Sequence, residues 1–351
     1  MAAPMWRWAA VCGVYLIAFF WAIPVLMRTF YIAIRKPKQF FSRKKRDIRP
    51  ACLDDPKLGA HGFVRLNSES EGIKMHYVAN GGENMPLMLL LHGFPEFWYS
   101  WRHQLKIFCQ NYRVVAVDTR GCGESEQPKG IYSYDLKKLR DDIKELILSF
   151  GYNSCILVGH DWGGAMAWAV AGKYPELVDK LIIMNCPHPA VMGPYLKTHY
   201  KQMLKSWYMF FFCLPYLPEW LFLSGDLKMI ENTFCGKVMG AKPGAFTPED
   251  IEAFKYTFSR PGTVTCAMNY IRAAILGKIA SGGYGKPKAL IQAPTLVIWG
   301  TNDGALQSEM AELSGKHCRD FTLKFIEGAS HWVQQDEPDI VNQHITAFLA
   351  K

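Results

Sequence analysis

The segment Gly159-His160-Asp161-Trp162-Gly163 joins an apolar run, Cys155–His160, to a stretch of small residues beginning at Gly163. The pattern reads as strand, tight turn and helix, the arrangement in which a Gly-x-Ser-x-Gly turn presents a hydroxyl nucleophile. Here the presented group is a carboxylate. A serine must lose its proton to a base before it attacks, whereas an aspartate is already anionic at neutral pH. A carboxylate is a poor attacker of esters and amides. It can displace a leaving group from a tetrahedral carbon, leaving an alkyl ester on the enzyme. Asp161 therefore points to opening of a strained C–O ring or cleavage of a carbon–halogen bond.

Two further residues complete the chemistry. Asp303 follows the apolar run "TLVIWGTN", and His331 follows the strand-like "FTLKFIEGAS". An imidazole held by one carboxylate could take a proton from water, and the hydroxide would attack the Asp161 ester. The oxyanion would then develop on Asp161 itself. The backbone N–H groups of Trp162, next after the nucleophile, and of Phe94, in "HGFP" after a strand, are the expected receivers. His92 in the same loop reads as a support for that turn.

These residues need a scaffold that brings strand ends together. Apolar runs Leu87–Gly93, Arg113–Asp118, Cys155–His160, Lys180–Asn185 and Thr295–Gly300 read as buried strands. Tyr134–Gly151 reads as an amphipathic helix stopped by Gly151, and "DIVNQHITAFLAK" as a closing helix. The alternation predicts an α/β architecture, a mostly parallel sheet with helices on both faces. Active sites of such sheets lie beyond the carboxyl ends of the strands, where His92, Asp161, Asp303 and His331 all fall. The order nucleophile, acid, histidine is that of the α/β-hydrolase fold. From Pro187 to Ala289 aromatic and Met-rich helical stretches replace the strands. The expected organisation is an anchor and basic segment over 1–50, a first core part over 51–186, a helical cap over 187–289 and a second core part over 290–351.

Net charge assigns the first fifty residues a separate role. They hold ten Lys/Arg and one acid, Asp47, and so carry all of the formal +9; the rest of the chain has thirty residues of each sign. A neutral body argues against a nucleic-acid partner. Trp8–Met27 has no formal charge and would form a helix of about 30 Å, enough to cross a hydrocarbon core. It is too long for the apolar part of a cleaved signal, and it runs into Arg35, Lys36, Lys38, Arg43, Lys44, Lys45 and Arg46. The reading is one N-terminal transmembrane helix, with the basic run as a topology signal and contact for lipid headgroups. The expected location is the endoplasmic reticulum membrane with the body in the cytosol. Ten scattered cysteines without a CxxC pair, and the lack of any Asn-x-Ser/Thr sequon, agree with a reducing compartment.

"HGFPEFWYSWRHQL", "VVAVDTRGCGES", "GHDWGG" and "ASHWVQQDEPD" together resemble the epoxide hydrolases of the α/β-hydrolase superfamily. With the anchor and "ACLDDPKLG", the resemblance is to the membrane-anchored group of that family. It implies Asp161 as nucleophile, His331 as water-activating base, Asp303 as its partner, and a cis peptide before Pro95. It also implies two cap tyrosines that donate protons to the epoxide oxygen. Tyr208 in "LKSWYMFFF" matches the first. The second belongs immediately before an arginine, where Asn269-Tyr270-Ile271-Arg272 carries Ile271. Tyr270, one residue or about 100° away on a helix, is the remaining candidate.

No metal or organic cofactor is implied. The aromatic run Trp207–Trp220 is expected mostly to pack the cap, and its apolar character favours a lipid-like epoxide such as that of an unsaturated fatty acid. Two alternatives follow from the same residues. One is haloalkane dehalogenation, which commonly uses an Asn where this chain has Phe94. The other is a catalytically weakened lipid-binding member of the fold, suggested by Ile271.

Overall fold

The computed structural model describes residues 5–67, 71–277, 279 and 290–351. Eight strands form one sheet in the order β1-β2-β4-β3-β5-β6-β7-β8. They are β1 (Ala60–Arg65), β2 (Lys74–Asn80), β3 (Leu87–Leu91), β4 (Arg113–Val117), β5 (Cys155–His160), β6 (Val178–Met184), β7 (Thr295–Gly300) and β8 (Phe321–Ile326). The pairings β1–β2 and β2–β4 are antiparallel, and the others are parallel.

The apolar runs are buried on both faces, as a sheet flanked by helices requires. Alternate residues of each strand enter different cores. Met88, Leu90, Val158, Ile182 and Ile298 pack on one side. Leu89, Leu91, Leu157, Ile183 and Val297 pack on the other. The amphipathic helix forms over Leu136–Ser149, with the Asp135 carboxylate accepting from the Lys137 N–H at its start. The closing helix is Pro338–Leu349.

Between β6 and β7 the described chain is helical, with helices at Pro189–Thr198, Tyr200–Lys205, Trp207–Phe211, Leu217–Cys235, Pro248–Ser259 and Thr263–Arg272. The last continues into a π-helical turn, Ala273–Gly277. The expected cap boundary at residue 289 lies outside the described residues.

The N-terminal helix runs from Met5 to Arg35, past the expected end at Met27, and its Trp6–Arg35 portion is long and apolar enough to cross a membrane. Along it Val14, Ala18 and Ala22 form a buried stripe at four-residue spacing. The basic run divides, contrary to the expectation that all of it is free for headgroups. Arg35, Lys36, Lys38 and Arg43 remain exposed. The Arg46 side chain is only 3% exposed. It donates to both carboxylate oxygens of Asp226 at 2.8 Å, and to Glu252 at 2.9 Å. The opposed cap carboxylates explain the difference, since a buried guanidinium requires such partners.

Candidate active site

Asp161 stands at the junction of β5 and the helix Trp162–Lys173 with φ +49° and ψ −118°, a strained backbone for a residue with a Cβ. The surroundings fix it there. Its N–H donates to the Met184 carbonyl at 3.2 Å, and its own carbonyl accepts from the Ala165 N–H at 3.0 Å. A Cβ on Gly163 would collide with the Leu91 carbonyl, so glycine lets the elbow helix approach the end of β3. Gly93 is equally constrained, because a Cβ there would meet the Asp161 side chain at 2.5 Å. The turn thus holds the carboxylate against the loop after β3.

The two oxygens of that carboxylate face different groups. Oδ1 accepts from the Phe94 N–H at 2.9 Å. Oδ2 lies 3.5 Å from His331 Nε2. The Trp162 amide opens the elbow helix beside it, at the end where helix N–H groups lack intrahelical partners. The peptide between Phe94 and Pro95 is cis. His92 occupies the supporting position. Its Nδ1 meets the Gly93 carbonyl at 2.9 Å, and its Nε2 accepts from the Thr119 N–H at 3.1 Å. Burial lowers the His92 pKa, which keeps the ring neutral for those contacts.

His331 Nδ1 lies 2.8 Å from Asp303 Oδ2. Asp303 is itself tightly held: Oδ1 accepts from the Ala305 and Leu306 N–H groups at 2.7 and 2.9 Å, and Oδ2 from Asn185 Nδ2 at 2.8 Å. Burial alone would raise the Asp303 pKa; the His331 charge and these donors outweigh it, so the carboxylate is favoured. Burial alone would lower the His331 pKa, but Asp303 and Asp161 raise it to about 10.

A second buried layer supports the first. The His331 carbonyl is 2.8 Å from His160 Nε2, and His160 Nδ1 is 2.7 Å from Glu96 Oε2. Glu96 also accepts from the Gly93 N–H at 2.9 Å. Burial opposes its ionisation, yet His160 and the Gly93 amide hold its pKa at about 2. One carboxylate thus ties the loop after β3 to the loop carrying His331.

Above the elbow, the Tyr208 hydroxyl makes no hydrogen bond among the described residues. Burial, with the nearby charges of Asp161 and Asp303, raises its pKa and keeps the phenol protonated. Phe212, whose ring is 5.7 Å from that of Tyr208, also meets Phe94 at 5.7 Å.

Tyr270 is placed differently from the expected second donor. Its hydroxyl donates to the Arg120 carbonyl at 2.6 Å and lies 3.0 Å from Thr119 Oγ1. Its proton is thereby committed to the loop after β4 and not to the space above Asp161. The π-helical irregularity begins at Ala273, too late to rotate Tyr270 inward. Ile271 is 1% exposed and packs in the core cluster that includes Phe94, Phe212 and Phe222.

Three residues of the site went unread in the sequence. Asn185 ends the run "KLIIMN", the same strand-end position as the other polar groups. Glu96 is a carboxylate inside an aromatic run, where burial demands a partner. Arg272 donates to the Phe212 and Leu214 carbonyls at 2.7 and 2.8 Å and pairs with Glu219 at 2.6 Å, clamping the segment after Tyr208.

A family model described as alpha/beta hydrolase fold matches residues 86–211. Epoxide hydrolase 4 of Homo sapiens is 44% identical over 327 residues, covering 92% of this chain and 88% of that protein. Epoxide hydrolase 3 of Mus musculus is 41% identical over 321 residues, covering 90% and 85%. Among solved structures, an epoxide hydrolase of Bacillus megaterium in complex with an inhibitor superposes with a TM-score of 0.75 at 30% identity, covering 83% of this chain and 100% of that one.

Proposed function

The chain belongs to the epoxide hydrolases of the α/β hydrolase fold, and we propose that it opens lipid-like epoxides to vicinal diols through a covalent ester on Asp161. The observation that carries this reading is the division of the Asp161 carboxylate, with Oδ1 on the Phe94 N–H and Oδ2 toward His331. Oδ2 attacks a ring carbon, the C–O bond breaks, and the departing oxygen takes the Tyr208 proton. Such a positioned donor is worth on the order of 10²–10⁴-fold.

Ester formation removes the Asp161 charge that helps hold His331 protonated, so the imidazolium proton is given up to restore the Tyr208 phenol and the neutral imidazole becomes the base. It takes a proton from water, and the hydroxide adds to the Asp161 carbonyl carbon. The negative charge develops on Oδ1, facing the N–H groups of Phe94 and Trp162. Collapse releases the diol oxygen, which takes its proton from His331. Asp303, fixed by Asn185, holds the imidazole orientation through both steps.

The aromatic surroundings of Phe94 and the apolar N-terminal helix favour a substrate that partitions into lipid, with the helix as a single-pass anchor in the endoplasmic reticulum and the body facing the cytosol. The test is diol formation by mass spectrometry, comparing epoxy fatty acids with a small soluble epoxide, and the parent with Asp161→Ala. Diol from the parent alone, strongest with the fatty acids, supports the reading. Diol from the Asp161→Ala protein would remove the ester mechanism, and no diol from folded parent would remove the substrate assignment.

A further inference from the structure

The N-terminal helix does more than lie beside the enzyme; it packs on the element that carries Tyr208. Ala18 is fully buried and Ala22 nearly so, in one apolar cluster with Phe211 and Phe212. Small residues at four-residue spacing let another backbone approach closely. On the same side the Trp21 ring is 5.8 Å from that of Trp207, the immediate neighbour of Tyr208. Farther along, Phe40 meets Trp220 at 5.5 Å, and Arg46 is locked to Asp226 and Glu252. Three separate contacts therefore join the first fifty residues to the cap, whose exposed Tyr200, Met203, Leu204 and Tyr216 suit that face to lie in the lipid beside the helix while the rest of the body stays outside it.

The Tyr208 helix, Trp207–Phe211, is only five residues long and has no side-chain cap at its start. So short a helix is not stable by itself. Its geometry depends on what grips it: Arg272 holds the carbonyls of Phe212 and Leu214 at one end, and the N-terminal helix covers the Trp207 side. We propose that the anchor is a positioning element for the reaction, with Trp21 and Ala18 setting the place of Tyr208 through Trp207. The proposal rests on the reading of Tyr208 as the proton donor of ring opening. A displacement of about 1 Å at a reacting group can reduce a rate on the order of 10²-fold, so a loosened anchor contact acts on chemistry.

The experiment uses the full chain in phosphatidylcholine vesicles, with single-turnover measurement of ester formation and ester hydrolysis on an epoxy fatty acid. Trp21→Ala removes the ring contact, and Ala18→Leu wedges the helix away. Leu16→Ala, at a position 70% exposed, alters the helix without touching the cap. Tyr208→Phe reports what loss of the donor does. The expected result is ester formation slowed on the order of ten- to a hundred-fold in Trp21→Ala and Ala18→Leu. Hydrolysis of the ester is unchanged, Leu16→Ala behaves as parent, and all variants partition into vesicles equally. A simple loss of folded protein lowers the amplitude of the ester burst and leaves its rate constant alone. Ester formation in both anchor variants within twofold of Leu16→Ala, with Tyr208→Phe slow, overturns the coupling and leaves the donor assignment standing. Tyr208→Phe as fast as parent overturns the donor assignment and the proposal with it.

Discussion

His331 divides its two ring nitrogens between two carboxylates, with Nδ1 2.8 Å from Asp303 and Nε2 3.5 Å from Asp161. The two differ in what the proposed reaction does to them. Asp303 keeps its charge throughout, whereas Asp161 loses its charge on becoming an ester. In that reaction the histidine is held as a cation before ring opening and released as a base after it.

Neutralising Asp161 permanently reproduces that release. In Asp161→Asn the His331 imidazolium loses one of its two stabilising charges, so its pKa falls below the parent value of about 10. Histidine-resolved NMR titration is the measurement. Stability follows the same sign. A folded-state pKa raised from 6.5 to about 10 gives stabilisation that is fully present below 6.5 and lost as pH rises through about 10. The parent therefore weakens across that window more than Asp161→Asn does in pH-dependent unfolding.

Replacing the base separates the two half-reactions. His331→Gln retains Asp161 and Tyr208, so ester forms, while water activation falls on the order of 10²–10⁴-fold. Intact-mass spectrometry after mixing with epoxide shows one added substrate mass per chain, persisting over many parent turnovers. Free diol without accumulated adduct would exclude His331 as the base for the second step.

The two cap tyrosines differ in their free proton. Tyr208→Phe slows ring opening on the order of 10²–10⁴-fold. Tyr270→Phe leaves ring opening within about threefold. It costs about 1 kcal/mol of stability instead, from the lost bonds to Arg120 and Thr119. Single-turnover rates and thermal melts of the two variants, taken side by side, decide the assignment.

Ile271→Tyr restores the phenol that the family resemblance leads one to expect before Arg272. The site is closed, so the added ring costs about 1–3 kcal/mol through overpacking. Ring opening is expected to rise, because a second donor shares the developing charge on oxygen. A melt lowered without any gain in rate would mean that Tyr208 suffices.

The chemistry was the most legible part of the sequence, because strand-end polar residues stand out against apolar runs. Asp161, Asp303 and His331 lie together as that reasoning expected, and β5 and β7 have the expected ends. The edge strand β1 and its neighbour β2 escaped it. "AHGFVR" leaves most of its residues exposed or half-buried, so it lacks the continuous apolar signal of a central strand. Tyr270 escaped for another reason. One-dimensional spacing places a side chain on a helix face but does not reveal that a loop carbonyl, that of Arg120, awaits its hydroxyl. Arg46 likewise read as one more charge in a basic run, since its partners Asp226 and Glu252 are distant in the chain.

The helical cap leaves the sheet after β6 and returns at β7, and those two strands are direct neighbours, with Met184 opposite Ile298. The excursion thus begins and ends almost at one point, and its length places no demand on strand register. The closure penalty grows only slowly with the number of residues enclosed. Mutations, insertions or an exchanged cap can therefore alter which molecules are admitted while Asp161, Asp303 and His331 keep their places on the sheet. The sheet residues and the cap are written in separable stretches of the chain, so the cap can change around its entrance as long as it keeps Tyr208 in place over Asp161.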